Sequence, residues 1–389
     1  MTEQLVQNSL HVPAEPEGNQ PGVCYGALAI SCKEQLHRPV RPRAESLYTK
    51  GTGVTTTPPA SRLKYLLQQP SLWIALLLWI LLSLAAILLC RHGVPLHRPE
   101  LAGIPPVTDV LNNSIGLAGL ILVIALVHFL ARRRPFPNLA ERAPERAAAR
   151  REMLAMWIYG AIVLAAGRLV GQHYFGEGIG LHLNGCLFGA TRVQSPAEVW
   201  TWAAWNGVLL ALVPYLVFRW RGYSRQALNL RSADWKNDTL IIIVVLLIGC
   251  AYELAGPNIF QLTPHQQLVG GLLSFVLHFA GTDLPIMVFI YAILLPRYAR
   301  LFSPPVAFLV GAISYPLMHV FEYWTRYDSL YDGVVSVIFV ILTLFPAGVM
   351  KSFLTLRTGN AWVHMWAFHA ITPHVMVDTR LVVRDFHLR

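Results

Sequence analysis

Long apolar runs separated by short polar segments dominate the chain from residue 72 onward. An apolar run of about 18 residues or more is long enough to cross the hydrocarbon of a bilayer as a helix. The runs predict nine membrane spans, near residues 72–90, 115–131, 153–171, 200–218, 239–256, 266–296, 304–321, 333–350 and 360–378. The run at 266–296 is too long for one straight span and contains Gly281 and Pro285, so we predict one broken helix, with two short spans as the alternative. The predicted fold is an all-α, polytopic transmembrane helical bundle.

Composition agrees with a membrane environment. Hydrophobic residues make up 54% of the 389 residues, charged residues only 13%, and the mean hydropathy is +0.47, whereas soluble domains carry about a quarter charged residues. This balance excludes a nucleic-acid reader, an ordinary cytosolic enzyme and a secreted disulfide scaffold. The five cysteines are scattered and never in CxxC spacing, so they predict neither a disulfide framework nor a zinc knuckle. The expected partner is the lipid bilayer, with no nucleic acid.

The apolar runs and the basic residues predict the organisation of the chain. Residues 1–70 have no apolar period and are expected to form a disordered cytoplasmic tail. Residues 71–199 would hold N-terminal transmembrane helices, and residues 200–380 the transmembrane core. Most of the 31 lysines and arginines fall on one side if the N-terminus is inside, which supports a cytoplasmic N-terminus. Arginine far outnumbers lysine, which weakly favours a bacterial plasma membrane. The basic loop 132–152 is interpreted as a topology determinant, with a docking surface for an acidic partner as the alternative.

Ionisable side chains concentrate in the last third of the predicted spans. Such groups are costly in lipid and tend to face the bundle interior, so each is a candidate functional residue. They are His278, Asp283, His319, Glu322, His364, His369, His374 and Asp378.

Several of these residues also have structural explanations. Asp283, between Gly281 and Pro285, has the sequence context of a helix N-cap. Glu322 has an interfacial setting, where a solvated carboxylate is ordinary. His364 between two tryptophans fits an aromatic belt, and His278 fits a hydrogen-bonded core histidine. His319 and His369 are the hardest to explain structurally, because apolar residues flank both.

Spacing along single helices does not predict a metal site. Pairs of histidines in the last span are five residues apart, which places them about 140° apart around a helix. His319 and Glu322 are three apart and would share a face. We therefore expect neither a metal nor another cofactor, since a metal site would need ligands from several helices.

Several stretches of the second half form a recognisable pattern. They are the arginine-rich turn at 219–231, LLPRYARLF at 294–302 with its continuation to residue 319, FPAGVM at 345–350, and the segments 357–362 and 368–370. Together they resemble the core of the CAAX-processing and bacteriocin-processing intramembrane endopeptidases, over roughly residues 200–380. The first three spans lie outside the resemblance.

The motifs of that family are matched only in part. Tyr315 four residues before His319 resembles its aromatic–histidine motif, with tyrosine in place of phenylalanine. His369 resembles the histidine of its last helix, although Pro373 stands where an amide or acid is usual. The family's paired glutamates and arginine should fall at 286–291 and are absent. Asp283, one turn earlier on the same face, is a candidate replacement, and Glu322 is a second.

The resemblance implies an intramembrane endopeptidase that hydrolyses a peptide or membrane-protein substrate. His319 and His369 would position water or stabilise the oxyanion, and Asp283 or Glu322 would act as the base. Tyr315 and His278 are the candidate substrate-binding residues. Two alternatives stay open, a catalytically degenerate member that acts as a binding or protective protein, and a transporter that uses the ionisable cluster as a proton relay.

Overall fold

The computed structural model describes residues 68–90, 93, 94, 96, 104–176, 187, 193 and 195–389. All of them fall within the unit Thr52–Arg389. The predicted disordered tail, residues 1–70, lies outside the described residues except for its last three. Within the described ranges the structure is helical and contains no strand, which confirms the predicted all-α class.

Eleven helices are labelled here in chain order. The first eight are α1 Pro70–Leu89, α2 Pro106–Leu130, α3 Arg146–Phe175, α4 Pro196–Trp220, α5 Trp235–Glu253, α6 Gln266–Leu301, α7 Pro304–Leu317 and α8 Leu330–Thr358. The last apolar run is divided into α9 (Ala361–His364 continued by Met365–His369), α10 Thr372–Val377 and α11 Thr379–Asp385. Short 3₁₀ turns lie at Leu139–Arg142 and Ile259–Gln261.

Seven of these helices, α1 to α6 and α8, are long and apolar enough to cross a membrane. The shorter α7 and the divided run 361–377 occupy the other two predicted positions. The starts that differ most from the prediction are those of α2 at Pro106 and α3 at Arg146, because the first turns of these helices are polar and lie outside the apolar runs. The chain is therefore a multi-pass helical membrane protein.

Proline accounts for four of the six π-helical segments in the described part of the chain. It has no backbone N–H, and its ring clashes with the carbonyl of the residue four positions earlier. In four places a π-helical segment ends two to four residues before a proline: Gly207–Leu212 before Pro214, Phe279–Asp283 before Pro285, Met287–Leu294 before Pro296, and Met365–His369 before Pro373. The predicted break in the long sixth run is thus a series of widened turns within one continuous helix, α6.

Helix α6 is the centre of the bundle. In its most apolar window 83% of the residues are buried, against 6% in α1. Close packing surrounds it: a Cβ at Gly281 would lie 2.6 Å from the indole of Trp202 on α4. Helices α7 and α8 also cross closely, since a Cβ at Gly348 would lie 2.1 Å from the carbonyl oxygen of Ala312. Small residues allow such approaches between membrane helices.

A polar network ties the loop after α2 to the start of α5 and the turn between α8 and α9. Arg134 forms an ion pair with Asp238, and the Asp238 carboxylate also accepts a hydrogen bond from Asn360 Nδ2 at 2.9 Å. Arg142 donates to Asn229 Oδ1 and to the Gly359 carbonyl oxygen, both at 2.6 Å. Part of the basic loop 132–152 therefore makes internal contacts.

A second network holds α3 against α6. The buried Arg297 guanidinium donates to Glu152 Oε2 from Nε at 3.0 Å and from Nη2 at 2.8 Å. Arg221 lies 2.7 Å from the same carboxylate, and the Tyr223 hydroxyl donates to it at 2.8 Å. Burial and the adjacent Glu152 raise the pKa of Tyr223 to about 12, so this phenol stays a donor. Glu152 is a buried carboxylate whose charge is fully compensated.

Candidate functional site

A buried carboxylate meets two imidazoles at the centre of the bundle. Asp283 lies near the middle of α6 and is fully buried. Its Oδ1 lies 3.2 Å from Nδ1 of His369, at the end of α9, and 3.6 Å from Nε2 of His374 on α10. The interruption at residues 370–371 separates these two histidines, so both can face Asp283 although a regular helix would point them apart.

A second carboxylate, that of Asp378, contacts the ring nitrogen of His374 that faces away from Asp283. His374 Nδ1 lies 2.9 Å from Asp378 Oδ2, in hydrogen-bonding geometry. His278 Nε2 lies 3.1 Å from the same oxygen, and the His278 and His374 rings stack with centroids 4.3 Å apart. His278 Nδ1–H donates to the Ser274 carbonyl oxygen at 2.8 Å, and the Ser274 hydroxyl donates to the His374 carbonyl oxygen at 2.5 Å. Hydrogen bonds to the ring and to the backbone carbonyl of His374 thus fix its orientation.

These contacts leave acceptors facing each other around Asp283. A neutral His374 that donates from Nδ1 to Asp378 carries a lone pair on Nε2, the atom nearest Asp283. Neither oxygen of Asp283 and neither ring nitrogen of His369 makes a hydrogen bond to any described residue. Buried polar atoms are normally hydrogen-bonded, and exceptions call for an explanation such as a bound ion, a water or a catalytic role.

His319 lies on the other side of Tyr315 from this group. The His319 Nδ1–H donates to the Tyr315 carbonyl oxygen at 2.7 Å, which leaves the Nε2 lone pair without a hydrogen bond among the described residues. The Tyr315 ring contacts both imidazoles, with centroids 4.5 Å from His319 and 5.9 Å from His369. Lys351 Nζ lies 3.4 Å from the centroid of the same ring.

Glu322 is near His319 but is separate from the Asp283 group. Helix α7 ends at Leu317, so His319 and Glu322 lie in the turns that follow it. The prediction that these two residues share a helix face is therefore wrong. His319 Nε2 lies 3.9 Å from Glu322 Oε1. Glu322 is buried, so the interpretation of a solvated interfacial carboxylate is wrong.

Other structural explanations from the sequence also need correction. Asp283 has helical dihedral angles (φ −66°, ψ −54°) inside α6 and its side chain caps nothing, so it is not an N-cap. His364 is fully buried rather than in an aromatic belt, and its Nδ1 lies 3.1 Å from the Thr355 hydroxyl. His278 is the hydrogen-bonded core histidine that its sequence context allowed.

The sequence pattern does not indicate how closely three residues are involved in the site. His374 and Asp378 lie near the end of the last apolar run, yet they are buried in the bundle and form a hydrogen bond. Their spacing of four residues is the signal that identifies them, since it places a histidine and an acid on one helix face. Lys351 has the sequence setting of a topology charge, although it is a buried lysine within the apolar α8.

The fold and the site define a multi-pass helical membrane protein with a buried histidine–aspartate centre. Comparison of the chain with models of known protein families, with curated proteins and with solved structures finds no match.

Proposed function

We propose that the protein is a membrane-embedded hydrolase that cleaves a peptide bond in a peptide or membrane-protein substrate. The observation that carries the proposal is the Asp283 carboxylate, which lies 3.2 Å from His369 and 3.6 Å from His374 while neither of its oxygens is hydrogen-bonded to a described residue. A structural carboxylate in a bundle core would be expected to have its partners in place. A carboxylate with two adjacent imidazoles is the equipment of a general base with orienting groups.

Asp283 would take a proton from a water molecule bound beside its carboxylate. The oxygen of that water would then bond to the scissile carbonyl carbon, and the developing oxyanion needs donors nearby. The neutral His369 ring, which carries one N–H and makes no hydrogen bond to a described residue, would supply such a donor. The proton would pass to the leaving amine as the carbon–nitrogen bond breaks, which returns Asp283 to its carboxylate form.

The resemblance to the CAAX-processing and bacteriocin-processing endopeptidases supports the same proposal with altered roles. The histidine that carries an acid four residues later is His374, with Asp378, and His369 becomes a direct neighbour of the base. His278 contacts Asp378 and the Ser274 carbonyl oxygen, so it is better suited to positioning than to binding substrate. Tyr315, between two histidines, remains the candidate contact for substrate.

A cleavage assay in proteoliposomes tests the proposal. The probes are fluorogenic transmembrane peptides and labelled casein, with the parent compared with Asp283→Asn, His369→Ala and His319→Ala. We expect Asp283→Asn and His369→Ala to lose about 10²-fold or more, the usual contribution of a positioned base. His173→Ala, which removes an exposed histidine, should cleave like the parent. A parent that cleaves no probe, or an Asp283→Asn variant with parental activity, would contradict the proposal.

A proton-coupled transporter is the second candidate, favoured by one observation. His369, Asp283, His374, Asp378 and His278 form a continuous series of ionisable groups with contacts of 2.9–3.6 Å, which could pass protons between helices. Proteoliposomes with an internal pH dye would separate the two functions. Proton flux across the membrane that Asp283→Asn abolishes, in the absence of peptide cleavage, would favour transport.

We also propose that the N-terminus lies in the cytoplasm of a bacterial cell. The bias of lysine and arginine between alternate loops supports this orientation. Reporter fusions to the loops after α2 and α3 would test it, with the loop after α2 expected on the cytoplasmic side.

A further inference from the structure

We propose that Asp283, His369 and His374 bind a divalent transition-metal ion, of which zinc fits the donor set best. Two imidazole nitrogens and one carboxylate oxygen are ligands that zinc prefers in proteins, and three protein ligands with an open fourth position are typical of catalytic zinc. The three ligand atoms lie within 4.8 Å of one another, and all three side chains are buried.

Two of the three distances between the ligand atoms match a tetrahedral ion. Zinc–nitrogen and zinc–oxygen bonds of about 2.0–2.2 Å place two tetrahedral ligands roughly 3.3 Å apart. Asp283 Oδ1 lies 3.2 Å from His369 Nδ1 and 3.6 Å from His374 Nε2. Because none of these atoms makes a hydrogen bond to a described residue, an ion could bind without breaking one.

Asp378 gives His374 the form that a metal ligand requires. By accepting the Nδ1–H at 2.9 Å it keeps the Nε2 lone pair directed toward Asp283. Metal-bound histidines commonly donate their second ring N–H to a carboxylate, which fixes the tautomer and the ring orientation. His278, stacked on His374 and 3.1 Å from Asp378, extends this support. Asp378 and His278 are therefore positioning residues for the site.

A second group of possible ligands, His278, His374 and Asp378, shares His374 with the first. Two of the ring nitrogens in this second group already take part in hydrogen bonds. His374 Nδ1 is bonded to Asp378, and His278 Nδ1 donates to the Ser274 carbonyl oxygen. An ion there would displace the hydrogen bond that orients His374. The three ligand atoms of the first group, in contrast, make no hydrogen bond to a described residue.

The proposal rests on the proposed function only in that it uses the same side chains. A zinc ion at this place would supply Lewis-acid chemistry and a water of lowered pKa. The experiment that tests the metal site measures bound zinc rather than peptide cleavage. A protein that binds zinc but cleaves nothing, and one that cleaves without zinc, are therefore distinguishable results.

The experiment measures zinc on purified, tag-free, full-length protein in detergent. After treatment with a chelator and its removal, zinc is titrated by calorimetry, and bound zinc is counted by elemental analysis. Cobalt replaces zinc as a spectroscopic probe, since its visible absorption reports tetrahedral coordination. The variants are Asp283→Asn, His369→Gln and Asp378→Asn, and His364→Ala is the matched control from the same helix as His369. Thermal unfolding of each variant shows whether it is folded.

We expect the parent to bind one zinc per chain with a tetrahedral cobalt spectrum. Asp283→Asn and His369→Gln should each lose this ion, and Asp378→Asn should bind it roughly 10–100-fold more weakly, as expected for an outer-shell partner. His364→Ala should keep parental affinity. A parent without bound zinc, or a folded Asp283→Asn variant with parental affinity, would overturn the proposal. Loss of zinc in Asp378→Asn with retention in Asp283→Asn would also overturn it, by assigning the ion to the other group.

Discussion

A methyl group added at Gly348 should separate α7 from α8. The added Cβ would lie 2.1 Å from the carbonyl oxygen of Ala312 and 3.2 Å from Cβ of Tyr315, whereas ordinary contacts begin at 3.4 Å. The two backbones must therefore move apart by about 1.3 Å, and a carbonyl oxygen cannot rotate away as a side chain can. Overpacking of this kind costs roughly 1–3 kcal/mol. The same movement would displace Tyr315, and with it His319.

Thermal unfolding in detergent, followed by tryptophan fluorescence, measures the effect. We expect Gly348→Ala to lower the midpoint by roughly 2–6 °C and to reduce peptide cleavage. Gly119→Ala is the matched control, because Gly119 also lies in a long apolar helix but a Cβ added there would meet no atom within 4 Å. That change should be neutral or stabilising by up to about 1 kcal/mol, since alanine favours helix more than glycine does. Equal midpoints for the two variants would refute the close crossing.

Three further results are expected. Arg297→Met should lower the free energy of unfolding by about 3 kcal/mol, because it leaves the buried Glu152 with fewer partners, and adding Glu152→Gln should recover much of the loss in chemical denaturation. Gly281→Ala, which forces a Cβ to 2.6 Å from the Trp202 ring, should lower the thermal midpoint by several degrees. Lys351→Met should leave zinc affinity in calorimetry at the parental value, because Lys351 Nζ lies against the Tyr315 ring and is not one of the three ligands.

The membrane-spanning architecture could be predicted from the sequence because it depends on local information. Each span needs only a sufficiently long apolar run, and the hydrocarbon imposes the helix. The position of the candidate site was predictable for a similar reason, since an ionisable residue such as Asp283 or His369 stands out within an apolar run. The ends of helices were harder to predict from the sequence, since α7 ends at Leu317 although the apolar pattern continues to residue 321.

The pairing of site residues could not be read from spacing on single helices. His369 and His374 are five residues apart and would diverge on a regular helix, but the interruption at 370–371 turns both toward Asp283. That interruption depends on Pro373 and on packing against α6. Glu322 illustrates the opposite case, because its interfacial sequence setting suggested solvent, whereas tertiary packing buries it.

Comparison with two fully paired buried carboxylates, Glu152 and Asp238, argues that Asp283 is not structural. Glu152 receives hydrogen bonds from Arg297 and Tyr223 and lies 2.7 Å from Arg221. Asp238 is paired with an arginine and accepts hydrogen bonds from a serine and an asparagine. Asp283 is equally buried, yet neither of its oxygens is hydrogen-bonded to a described residue, and imidazoles lie 3.2 and 3.6 Å from its Oδ1. A buried charge without hydrogen bonds costs stability. Asp283 also lies on a π-helical turn, a feature that recurs at functional sites. Glu152 and Asp238 are compensated as structural carboxylates are, so the lack of hydrogen bonds between Asp283 and the described residues is best explained by a bound species or a reaction.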